Sequence, residues 1–171
     1  MGKLGGLNLF LSAAQSKTAP NGQLSGGQAG LLFNADSPAE RQTGFAVYLG
    51  GRYDFQSSGT KIGAEYNQGS RFWVGMVPAG DDIWTSKLGT RGSVYEVYLI
   101  QELNRKPISK KGKAFVRLGY QYYKFDYTGS NNWVGAPEKI SELSTTNAAL
   151  QQMLAPLKDA RDIYLTFDVL F

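Results

Sequence analysis

Hydrophobic and polar side chains alternate one by one through six separate stretches of this chain. From Arg161 to Phe171, residues Ile163, Leu165, Phe167, Val169 and Phe171 share one face, and Asp162, Tyr164, Thr166 and Asp168 share the other. Successive side chains of an extended strand point to opposite faces, so a period of two predicts a strand with one apolar and one polar side. The first stretch, about 4–15, sets Leu7, Leu9, Leu11 and Ala13 against Asn8, Phe10 and Ser12. The second, about 44–55, sets Phe45, Val47, Leu49, Tyr53 and Phe55 against Tyr48, Arg52 and Asp54. In the third, about 60–67, Ile62, Ala64 and Tyr66 oppose Lys61, Gly63 and Glu65. The fourth, about 93–103, places Tyr95, Val97, Leu99 and Leu103 opposite Glu96, Tyr98 and Glu102. The fifth, about 113–127, places Ala114, Val116, Leu118, Tyr120 and Tyr122 opposite Arg117, Gly119, Gln121 and Tyr123.

Between them lie two short connections, 56–59 and 104–112, and three long ones, 16–42, 68–91 and 128–160. Residues such as Pro20-Asn21-Gly22 and Gln56-Ser57-Ser58-Gly59 are turn formers, and no period persists through these segments. One short helix is expected at about Thr146–Ala155, with Leu150, Met153, Leu154 and Leu157 on one side and Pro156 as its stop. If hairpins join the strands, both short connections fall at one end and all three long ones at the other. Short periplasmic turns and long outer loops are the asymmetry of outer-membrane barrels, whereas a soluble sandwich has no reason to segregate them.

Composition narrows the choice. A chain of 171 residues predicts one domain. It has no Cys and no His, which removes thiol and Ser-His catalysis, disulfides and most zinc sites. No cofactor or enzyme activity is expected. Nine Phe, ten Tyr, three Trp and 21 Gly suit strands, tight turns and interfacial girdles. No apolar run is long enough for a membrane helix, a test that alternating strands escape. A net charge of +4 with basic and aromatic residues not interleaved gives no case for nucleic acid. The start, Met1 to Ala14, is interrupted by Gly5, Gly6 and Asn8, and reads as a mature strand rather than a signal peptide.

The expected fold is therefore an all-β, antiparallel, up-and-down transmembrane barrel segment of about six strands in a single unit spanning 1–171. Asn8, Arg52, Asp54, Lys61, Glu65, Glu96, Glu102, Arg117, Gln121, Asp162 and Asp168 would line a wet lumen, because a charge at the bilayer midplane costs about 2–4 kcal/mol. Leu7, Leu9, Leu11, Val47, Leu49, Val97, Leu99, Val116, Leu118, Leu165, Phe167 and Val169 would face lipid. Six strands are too few to close, and an open edge in lipid leaves backbone groups unpaired. The expected partners are thus the bilayer and either the remaining strands of a larger barrel or further copies of the chain; the start of the chain favours a fragment.

The last strand, ending in an aromatic with its carboxylate behind it, resembles the closing strand of bacterial outer-membrane barrels. That resemblance implies recognition of Phe167, Val169 and Phe171 by the barrel-assembly machinery. Gly59-Thr60-Lys61-Ile62-Gly63-Ala64-Glu65-Tyr66-Asn67, Asp81-Asp82, Lys87-Leu88-Gly89-Thr90-Arg91-Gly92, Tyr95-Glu96-Val97-Tyr98, Leu118-Gly119-Tyr120 and Tyr127-Thr128-Gly129-Ser130 resemble the C-terminal part of a porin-like family of Gram-negative outer-membrane barrels catalogued as a domain of unknown function. The resemblance is good over about 43–171 and loose over 1–42. It implies a pore-like role in the bacterial outer membrane and carries no catalytic residues. Members have many more strands before this region, so a closed pore from one copy is in question.

Single features have plainer readings beside the functional ones. Asp81-Asp82 offers oxygens to Ca²⁺ or is a solvated turn. Glu96 with Glu102, or Asp162 with Asp168, forms an acid/base pair or lines the wall. Lys61, Glu65, Glu96 and Arg117 set ion selectivity or brace the lumen. The basic stretch from Arg105 to Lys113 docks an acidic partner or is an ordinary turn. The stripe Leu150/Met153/Leu154/Leu157 constricts the pore or packs on its rim. The resulting expectation is passive passage of small polar or ionic solutes through a lumen of mixed charge. The alternative is a soluble antiparallel barrel or sandwich that binds an apolar small molecule, with the leucine-rich faces turned inward.

Overall fold

Each alternating stretch forms a strand in a computed structural model that describes residues 3–20, 32–33, 40–75, 86–103, 112–130, 135–143 and 156–170. The strands are β1 (Lys3–Leu4), β2 (Leu7–Thr18), β3 (Gln42–Phe55), β4 (Thr60–Gly69), β5 (Gly92–Glu102), β6 (Lys113–Phe125) and β7 (Asp159–Leu170). They make one open antiparallel sheet in chain order, each pairing with its sequence neighbours. Six long strands were anticipated. The two-residue β1 was not: Gly5 and Gly6, both at positive φ, fold it back along β2, and Gly6 O accepts a bond from Asp54 N.

The boundaries differ where pairing outlasts or falls short of the alternation. β2 continues to Thr18 because Gln15, Ser16, Lys17 and Thr18 find Phe45, Gly44, Thr43 and Gln42 opposite. β6 stops at Phe125 because its partner β5 begins at Gly92; the amides of Asp126 and Tyr127 both donate to Arg91 O instead. Gly59, at φ +69°, closes the tight connection from β3 to β4. Two 3₁₀ turns, Lys87–Gly89 and Ile140–Glu142, lie in the long connections. The helix expected at 146–155 lies outside the described residues, as do Asp81-Asp82, residues 105–111 and Phe171. Among the described residues no helix is long and apolar enough to cross a membrane, which says nothing of strands.

The register fixes which side chains share a face. Leu7, Tyr53, Ile62, Leu99, Leu118 and Leu165 stand in one line across six strands. This face is bare: Leu11 is 74% exposed and Leu165 71%. The opposite face carries the charges and is covered at the long-connection end by residues 70–75 and 86–91. There a small apolar cluster of Val94, Tyr123, Phe125 and Ala160 packs with Ile140.

Candidate functional site

On the charged face, Glu65 of β4 and Glu96 of β5 are direct cross-strand partners. Like charges in that position repel. The conflict is resolved from outside the sheet. Lys87, in the 3₁₀ turn before β5, reaches down so that its Nζ donates to Glu65 Oε2 at 2.5 Å and to Glu96 Oε2 at 2.7 Å. From β6, Arg117 Nη2 donates to Glu96 Oε1 at 2.5 Å, and Gln121 Nε2 donates to Oε2 at 3.2 Å. The Tyr164 hydroxyl donates to Glu96 and the Tyr48 hydroxyl to Glu65. Glu96 is thereby 2% exposed, yet four donors surround its carboxylate. Burial alone would push the Lys87 ammonium down; its bonds to Glu65 and Glu96 outweigh that and hold it above the ordinary lysine range.

Lys87 is held in place by its own backbone. Its carbonyl accepts from Asn67 Nδ2 at 2.6 Å, and the next carbonyl, of Leu88, accepts from Trp73 Nε1 at 2.7 Å. Arg91, 1% exposed, ties the neighbouring connections: Nε donates to Trp73 O at 2.9 Å and Nη1 to Thr128 O at 3.2 Å. Burial pushes its guanidinium down to about 10, which leaves it charged at neutral pH.

Below the ion pairs a single cross-strand row reads Gly63, Tyr98, Gly119, Tyr164. Each tyrosine ring lies over the glycine of the preceding strand, where a Cβ would collide with it. The Phe10 ring covers its partner Gly50 in the same way. Aromatic cover of strand glycines shields the backbone and pins register. Arg117 lies between the two tyrosine rings, 4.1 Å from the Tyr98 centroid and 5.4 Å from that of Tyr164.

A second ionic group lies toward the short connections. Arg52 grips Asp54 with two bonds of 2.7 and 3.1 Å, and Lys61 Nζ stands 2.7 Å from Glu102 Oε1. Both pairs are partly exposed beside a cleft of about 320 Å³.

The eleven polar residues singled out in sequence all lie on this face. The structure separates them into the Glu65–Glu96–Arg117–Gln121 group and the Asn8–Arg52–Asp54–Lys61–Glu102 group, with Asn8 donating to Gly6 O at 3.1 Å. The expected grouping of Lys61 with Glu65, Glu96 and Arg117 is split, because Lys61 turns to Glu102. Asp162 is half-buried opposite Gln121, and Asp168 is exposed on the edge strand beside Thr166. Glu96 and Glu102 do not meet as a carboxylate pair, since each is held by its own cation. Of the twelve apolar residues, Leu9, Leu11, Val47, Leu49, Val97, Leu99, Leu118, Leu165 and Phe167 are exposed, and Leu7, Val116 and Val169 half-buried.

Sequence reasoning noted Lys87 and Arg91 only within a stretch that carries the resemblance and gave them no role, since they sit in an aperiodic connection. It also gave no role to Tyr48, Tyr98 and Tyr164, although their parity places them on the charged face. Among the described residues no group of three or more His, Cys, Asp or Glu is arranged to hold a metal ion.

A family model described as "Protein of unknown function (DUF3373)" matches residues 1–171. The chain belongs to this family. The matched residues take in both ionic groups and every strand of the sheet. Neither the curated proteins nor the solved structures contain a match to the chain.

Proposed function

We propose that this DUF3373 chain is part of the wall of a bacterial outer-membrane β-barrel that passes small polar or ionic solutes through a lumen of mixed charge. One observation carries the reading: a sheet whose leucine and isoleucine face is bare while its charged face is covered and ion-paired. In water that arrangement leaves many large apolar side chains unburied, at about 25 cal/mol for each Å². Against hydrocarbon the same face is solvated and the charges are kept from it. In this account Asn8, Arg52, Asp54, Lys61 and Glu102 line the lumen, and Leu9, Leu11, Val97, Leu118 and Leu165 contact lipid.

The edge of β2 beyond its short partner β1 and the edge of β7 require partners, since unpaired backbone groups in lipid cost several kcal/mol each. Further strands or further copies of the chain supply them, and the barrel-assembly machinery reads the end of the last strand. The aligned tyrosines Tyr66, Tyr95 and Tyr122, in contact across β4, β5 and β6, form an interfacial girdle near the long-connection end. A soluble barrel holding an apolar ligand would need Leu9, Leu11, Leu49 and Leu118 inside; their exposure gives that reading no support.

Liposome swelling tests the proposal. The assembled barrel that contains this segment, reconstituted into vesicles, makes them swell in small sugars and not in large oligosaccharides. A chain that stays in the aqueous phase without detergent, or an assembled barrel that leaves vesicles tight to every sugar, contradicts it.

A further inference from the structure

We infer that the long-connection rim of the bare face holds the phosphate headgroup of a lipid in the outer leaflet. The inference rests on the barrel reading above and concerns the boundary of the apolar belt, not the lumen. Register carries it. Along β6 and β7 the paired residues of this face run from Leu118 and Leu165 to Tyr120 and Ile163, then to Tyr122 and Arg161, and last to Lys124 and Asp159. Apolar side chains give way to tyrosine and then to charge within a few residues. Among the described strand residues of this face the charged ones are Lys17, Lys124, Asp159 and Arg161, and all four stand at or beyond the tyrosine row. The short-connection end of the same face ends instead on Phe55, Thr60, Gln101 and Ala114.

Beside the last tyrosine a cleft of about 920 Å³ opens between the end of the sheet and the connections that follow β4 and β6. Lys124 and Asp159 line it from the strands, and Arg71, Asp126, Lys139 and Lys158 from the connections. Three of these cations have a carboxylate near them: Lys124 stands 3.8 Å from Asp126, Arg71 3.8 Å from Glu138 and Lys139 2.7 Å from Glu142. Among the described residues Lys158 and Arg161 form no ion pair, and both are exposed. Arg161 lies over the Tyr122 ring, 5.8 Å from its centroid. Asp159 is the one carboxylate of the cleft without an ion pair, so unpaired cations outnumber it two to one. Lysine and arginine beside a membrane surface attract anionic headgroups, and a tyrosine row sits at headgroup depth. A lipid along this face therefore meets the leucines with its tail, the tyrosines at its neck and Lys158 and Arg161 with its phosphate.

Native mass spectrometry of the assembled barrel that contains this segment, in a non-ionic detergent, provides the test. Dioleoyl phosphatidic acid is the probe, with dioleoyl phosphatidylcholine and inorganic phosphate for comparison. The wild type retains phosphatidic acid in preference to phosphatidylcholine. Lys158→Gln combined with Arg161→Gln weakens that binding about tenfold. Lys61→Gln combined with Lys113→Gln removes the same charge from the other end of the strands and leaves it unchanged. Equal retention of the two lipids by the wild type, or equal losses in the two double variants, overturns the inference and leaves the barrel standing. Inorganic phosphate that displaces the lipid at equal concentration makes this a site for soluble phosphate and also overturns it. A barrel that retains neither lipid overturns it as well, and vesicle swelling decides the pore separately.

Discussion

The two faces of this one sheet obey opposite rules. On one, leucines, isoleucines and valines lie open. On the other, a carboxylate as buried as any core residue is held by two cations, a tyrosine and an amide. Both faces come from the same strands, so strand propensity cannot separate them; on the proposed account what differs is the medium each face meets. On the charged face the buried carboxylates are met by cations, hydroxyls and an amide, whereas the middle of the bare face is apolar and its polar pairs, such as Thr60 with Gln101 and Tyr66 with Gln68, lie toward the strand ends. That division suits a wall between hydrocarbon and a polar interior, and it is the reverse of a soluble sheet packed on a dry core.

Five substitutions sharpen the contrast, each read as a change in urea or thermal unfolding in detergent or lipid. Lys87→Met has the largest expected effect. It leaves Glu65 and Glu96 opposed without their shared cation, and breaking a buried pair costs about 3–5 kcal/mol. Glu65→Gln in the same chain recovers part of that loss; no recovery contradicts the bridging role. Leu118→Arg comes next, at about 2–4 kcal/mol in lipid, whereas Gln121→Arg on the other face is tolerated because Asp162 stands opposite. Equal penalties for the two erase the difference between the faces. Gly119→Ala is smaller, about 1–3 kcal/mol, since the new methyl meets the Tyr164 ring and the ring must move. Smallest is the response to pH. Because the Lys87 ammonium is held above its ordinary range, its contribution is whole at every pH below the usual lysine value of about 10.4. It is lost only as pH rises through the raised value. An unfolding midpoint that differs between wild type and Lys87→Met by the same amount from pH 7 to 9 agrees with this.

The strands were legible because a period of two survives in single residues. Leu118-Gly119-Tyr120-Gln121 already states which side is which, and the observed register keeps that parity across all six long strands. Boundaries were less legible, since Thr18 and Phe125 owe their state to the length of a partner strand. The charged site was half legible. Parity put Glu65 and Glu96 on one face, but not that they would stand opposite each other, which depends on register. Lys87 could not be found from pattern at all, as a lysine in a connection carries no period. The unresolved conflict between two opposed carboxylates is the physical reason a cation from elsewhere must arrive. The glycines at 63 and 119 had a signal that went unread, because each faces a tyrosine in the neighbouring strand.

Spin labels on single cysteines most directly test which medium each face meets, since the chain offers a cysteine-free background. With the protein in lipid bilayers, labels at Leu118→Cys and Leu165→Cys collide more with dissolved oxygen than with a water-soluble nickel chelate. A label at Lys61→Cys shows the reverse. Nickel access at Leu118 and Leu165 equal to or above that at Lys61 would contradict the account.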